Sequence, residues 1–98
     1  MAAFFIAMTK VKDPEKFQEY ARRSGETFKD YGGEPVMRGK AKETLAGNVG
    51  SAHDTVGIVK FPDFEALTAW FNSDAYQALV ALRDEASDMT IASYEIPE

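Results

Sequence analysis

The chain has 98 residues, no cysteine, and 11 Lys and Arg against 16 Asp and Glu, a net charge of −5. That length makes one domain with a thin core, and the missing cysteine excludes disulfides, a thiolate nucleophile and a cysteine metal site. The acidic balance argues against nucleic acid, whose ligands present a basic face.

An apolar content of 45% with 28% charged residues is that of a folded chain. The apolar start from Met1 to Met8 lacks a basic leader and runs into Lys10, Lys12 and Asp13, which is not the order of a signal peptide. No stretch approaches the ~20 apolar residues of a membrane span. The expectation is a cytoplasmic protein without a membrane partner, one domain over residues 1–98.

Residues 3–11, Ala-Phe-Phe-Ile-Ala-Met-Thr-Lys-Val, read as a strand, short and rich in aromatic and β-branched residues. Asp13 then offers an N-cap and Pro14 fits the first helical position, where its missing N–H costs nothing. The helix should run to about Asp30, with Phe17, Tyr20, Ala21, Ser24, Phe28 and Tyr31 on one face. Gly32 and Gly33 should end it, because glycine accepts the left-handed C-cap conformation.

Residues 34–40 predict a second, weaker strand, with Pro35 suited to an edge or a strand start. Lys42–Ala46 reads as an extension of that strand, and Gly47–His53 as a loop or hairpin tip. Thr55–Phe61 predicts the third strand, stopped by Pro62. Asp63 should cap a helix over about 64–71. Asn72-Ser73 interrupts it, and Ser73 should cap a further helix over about 74–86, with Tyr76, Leu79, Val80 and Arg83 on one stripe. Met89–Ile96 predicts the last strand.

The order βαββαβ is the split-βαβ arrangement, an α+β sandwich of one four-stranded antiparallel sheet with both helices on one face. Its other sheet face should be polar if it meets water. It is not. Phe4, Ile6 and Met8 alternate with Phe5, Ala7, Thr9 and Val11, and Val56 and Ile58 with Val59 and Phe61. Apolar side chains on both faces call for a cover over the open face, and a second copy of the chain is the economical one. The expected partner is therefore a twofold homodimer mate.

Several residues offer chemistry. His53 is the one histidine, a weak catalytic candidate as general base, but Asp54 beside it in extended chain points the other way. A single imidazole does not make a transition-metal site. Arg38, mid-strand, needs a carboxylate or an anionic ligand. Around the helix break, Ser73 and Asn72 suit a cap, and Trp70 and Tyr76 suit core packing. The same four residues also suit the wall of a small-molecule pocket, with the hydroxyls of Tyr20 and Tyr31 reaching its rim, Arg38 a further pocket candidate to hold an anionic or carbonyl group, and Tyr76 a second weak catalytic candidate. Gly47-Asn-Val-Gly50 lies between strands and is too short to cradle a phosphate.

The segments Val11–Tyr20, Tyr31-Gly-Gly33, Arg38-Gly39 and Leu45-Ala-Gly47, with Phe61-Pro62, Ala69-Trp-Phe-Asn-Ser-Asp-Ala-Tyr-Gln-Ala-Leu79 and Leu82-Arg83, resemble a bacterial family, domain of unknown function 1330. That family sits in the dimeric α/β-barrel superfamily. The resemblance implies a ferredoxin-like protomer whose sheet faces that of a second copy. The superfamily includes cofactor-free monooxygenases, muconolactone isomerases, haem enzymes and stress-responsive proteins. The expected function is accordingly binding or cofactor-free conversion of a small organic or anionic molecule, with no cofactor and no metal. A non-catalytic ligand-sensing or structural dimer is the alternative.

Overall fold

A computed structural model describes residues 1–48 and 53–97. The elements run β1 (Ala3–Val11), α1 (Pro14–Lys29), β2 (Glu34–Lys40), β3 (Thr55–Phe61), α2 (Phe64–Phe71), α3 (Asp74–Gln77), α4 (Val80–Ala86) and β4 (Ser87–Glu95). The strands form one antiparallel sheet in the order β2-β3-β1-β4. The helices cover one face of it, which is the ferredoxin-like arrangement.

The helix starts follow from their caps. The carboxylate of Asp13 accepts the Lys16 N–H at 3.2 Å, and that of Asp63 accepts the Ala66 N–H at 2.7 Å. The hydroxyl of Ser73 accepts the Tyr76 N–H at 3.2 Å and donates to the Trp70 carbonyl at 2.7 Å. At the end of α1, Gly32 adopts φ of 79°, and the Gly33 N–H returns to the Phe28 carbonyl at 2.9 Å.

Three expectations need correction. Residues 42–46 do not extend β2, since no strand forms over 41–48. The backbone leaves the sheet after Lys40, where Ala41 N–H bonds Asp54 O and Asp54 N–H bonds Thr9 O. The helix expected over 74–86 is two helices. The Leu79 N–H bonds the Tyr76 carbonyl at 2.8 Å, three residues back, and this tighter turn separates α3 from α4. The last strand begins at Ser87, two residues early, because it pairs with Val11 at the end of β1. Residues 49–52 of the expected hairpin tip lie outside the described residues. Among the described residues, no helix is long and apolar enough to cross a membrane.

The core lies between sheet and helices. Trp70 is 1% exposed and stacks on Phe5 with ring centroids 5.1 Å apart, while Phe28 meets it edge-on. Its indole N–H donates to Thr27 Oγ1 at 2.9 Å, tying α2 to α1. The opposite sheet face carries apolar rows across the strands. Met37, Ile58, Ile6 and Ala92 form one such row, and Val56 and Met8 lie in the next. Phe4 stacks on Tyr94 at 5.3 Å on this same face.

Candidate functional site

The alternation of the strands builds the site. The register places Arg38, Gly57, Ala7 and Ile91 in one row on the helix side of the sheet. The middle of this row is made of the two smallest side chains available. A Cβ added to Gly57 would meet no atom within 4 Å. The chain therefore leaves space where a strand would ordinarily carry a packed side chain. Arching over this floor, α1 packs chiefly against α4.

The result is a cleft of about 720 Å³ between α1 and the sheet, within the range of small-molecule sites. Phe5, Phe17, Phe28, Trp70 and Ile91 give it an apolar wall. Tyr20 and Thr9 also line it. Its charged lining is Arg22, Lys29 and Arg38 against the single carboxylate of Glu26. Arg22 is taken up by Glu26 at 3.3 Å. The Arg38 side chain makes no ion pair or hydrogen bond with any described residue. A surplus of positive charge thus lines the cleft of a chain whose net charge is −5. Arg38 also borders a shallower groove beside Glu15 and Glu19 of α1.

The other residues singled out in the sequence lie as follows. Trp70 lines the cleft and belongs to the core as well. Tyr76 is fully buried behind it, with ring centroids 4.4 Å apart, and is not part of the cleft wall. Its hydroxyl lies 2.7 Å from that of Tyr20 and accepts the Arg83 Nη1 proton at 3.0 Å. Ser73 caps α3. Asn72 is exposed and donates to the Thr68 carbonyl at 3.1 Å. Tyr31 is half-buried against the core, away from the cleft wall. His53 stands apart, near Lys10, Lys12, Asp84 and Asp88 at the end of the β1–β4 pair. Asp54 does not orient it, because its carboxylate accepts the Val11 N–H at 2.8 Å.

Burial pushes the Tyr20 phenol well above its ordinary pKa, and the adjoining Tyr76 hydroxyl pushes it the same way. Tyr20 is therefore a neutral hydrogen-bonding group. Among the described residues, no cluster of three His, Asp or Glu side chains is arranged to hold a metal.

Gly57 is the site residue that the sequence reading passed over. The signal was present, since an isolated glycine inside Thr55-Val-Gly-Ile-Val-Lys-Phe61 marks a place where something other than a side chain occupies the space.

No curated protein is significantly similar to the chain in sequence. Solved structures share its fold. A protein of unknown function from Rhodopseudomonas palustris is 21% identical with a TM-score of 0.76, over 99% of this chain and 83% of that one. SnoaB, a cofactor-independent oxygenase from Streptomyces nogalater, is 14% identical with a TM-score of 0.71, over 99% and 94%. A dimeric ferredoxin-like protein of unknown function from Thermobifida fusca is 13% identical with a TM-score of 0.65, over 98% and 92%. A family profile matches residues 2–95, nearly the whole chain, and the protein belongs to the family described as domain of unknown function DUF1330.

Proposed function

We propose that the protein binds a small organic anion in the cleft between α1 and the sheet, as a binding protein or as a cofactor-free enzyme of the oxygenase or isomerase kind. The carrying observation is the Arg38 side chain, which pairs with no described residue, beside the empty space over Gly57. A guanidinium is a ready bidentate anchor for a carboxylate. The apolar wall takes up the body of the ligand. The enzyme form of this reading draws on the likeness to the cofactor-independent oxygenase, and it relies on the ligand's own reactivity with Arg38 and Tyr20 holding it.

The working unit in this reading is a homodimer joined through the open sheet face. Met37 is 63% exposed and Tyr94 48% exposed on that face, around the row of Ile58 and Ile6. Burying such side chains stabilises by about 1.5–3 kcal/mol each. The likeness to a dimeric ferredoxin-like protein from Thermobifida fusca supports a dimer. The row of Arg38, Gly57 and Ala7 that floors the cleft lies on the other side of the sheet.

A thermal-shift panel of small aromatic carboxylates tests the ligand. At least one should raise the melting temperature, and Arg38→Ala should abolish the shift without lowering the melting temperature of the free protein. Oxygen uptake and product analysis with the binding compounds then separate enzyme from binder. A panel in which every shift survives Arg38→Ala contradicts the proposed anchor.

A further inference from the structure

The hydroxyl groups next to the cleft leave one proton over. Arg83 donates to the Tyr76 oxygen at 3.0 Å, and the oxygens of Tyr76 and Tyr20 share one hydrogen bond at 2.7 Å. A guanidinium only donates, and each phenol carries a single proton. Two phenolic protons thus meet one phenol–phenol contact, and among the described residues the second finds no acceptor. The donation from Arg83 polarises Tyr76 and favours a chain running Arg83 to Tyr76 to Tyr20. Tyr76 is 0% exposed and off the cleft wall, whereas Tyr20 is part of that wall. The spare proton therefore belongs to Tyr20.

We propose that the Tyr20 phenol donates a hydrogen bond to the ligand, whose chemistry is then an apolar, ring-sized body with an anionic group at one end and an acceptor oxygen, such as a carbonyl, at the other. This rests on the reading of the cleft as a ligand site and adds a second recognition point to it. Burial sets the polarity of the ligand. Tyr20 is 5% exposed, so it receives the inner end, and Arg38 on the exposed edge strand β2 receives the anion. Phe5, Phe17 and Phe28 line the space they share. The buried phenol stays protonated across the neutral range and serves as a donor throughout.

Three probes test this on the full chain by calorimetry: 2-naphthoate, 6-acetyl-2-naphthoate and 2-acetylnaphthalene. The acetyl acid should bind about fivefold to tenfold more tightly than 2-naphthoate, the gain of one buried hydrogen bond. Tyr20→Phe should erase that difference, bringing the two acids to equal affinity. Arg38→Gln should weaken both acids tenfold or more, and weaken them far more than 2-acetylnaphthalene. In the wild-type complex the acetyl carbonyl stretch should move to lower wavenumber, a readout that needs no variant to fold. Equal affinities of the two acids for the wild type, or an unshifted carbonyl, overturn the role of Tyr20 alone. Failure of all three probes to bind overturns the ligand cleft and this proposal with it.

Discussion

The hydroxyls of Tyr20 on α1 and Tyr76 on α3 lie 2.7 Å apart in the interior, and Arg83 completes the chain from α4. Three helices are thereby held by two hydrogen bonds, each between groups that are costly to leave unpaired. Tyr76→Phe should destabilise the fold by about 1–3 kcal/mol, because it strands a donor of Arg83 and the Tyr20 hydroxyl together. Tyr20→Phe should cost less, about 1 kcal/mol, since Tyr76 keeps Arg83. Urea unfolding of the two variants and their double mutant measures the coupling. Strictly additive losses would deny the chain of bonds.

The same pair sets an alkaline limit. Burial, then the charge and hydrogen bond of Tyr76, raise the Tyr20 pKa above its ordinary 10.0. Below pH 10 both folded and unfolded chains keep that proton, and its contribution is fully present. Above pH 10 the unfolded chain releases it while the folded chain holds it, so stability falls as pH rises. One proton corresponds to a slope of about 1.4 kcal/mol per pH unit. Denaturation midpoints between pH 9 and 11 should show this limb in the wild type, and Tyr20→Phe should flatten it.

Gly57→Val should separate folding from binding. The position lies mid-strand with open space around it, so the added side chain enters the cleft without a clash. Valine also suits a strand better than glycine. The melting temperature should hold or rise by a few degrees. Binding of aromatic acids should fall by tenfold or more. A Gly57→Val protein that binds as well as the wild type would remove the cleft from the account.

The sequence specified the fold through its caps and periods. Asp13, Asp63 and Ser73 each cap the helix expected of them, and the odd-numbered residues of β1 face the helices as alternation requires. What escaped was set by local backbone choices. The tight turn at Leu79 has no glycine or proline to announce it. The departure after Lys40 depends on hydrogen bonds from Ala41 N–H to the Asp54 carbonyl and from Asp54 N–H to the Thr9 carbonyl, whose positions only the assembled sheet defines. The site was half legible. Arg38 and Trp70 stood out by type, and both line the cleft. Asn72 and Ser73 stood out too, yet their polar atoms are engaged with backbone at the helix break. Arg38, Gly57 and Ala7 come together only through the strand register.

The open face makes its own prediction. Ile6 sits at the centre of the row with Ile58 and Ala92. Ile6→Lys places a charge where the second copy should lie and should convert a dimer into a monomer in sedimentation equilibrium. A wild-type chain that stays monomeric at all concentrations would refute the dimer.

The most direct test of the ligand cleft is an amide and indole correlation spectrum of the labelled protein during titration with 2-naphthoate. The predicted result is a compact set of shifts at Ala7, Arg38, Gly57 and the Trp70 indole, saturating together with one dissociation constant. Shifts confined to Phe4, Ile6, Ala92 and Tyr94 on the open face, or an unchanged spectrum at saturating probe, would contradict it.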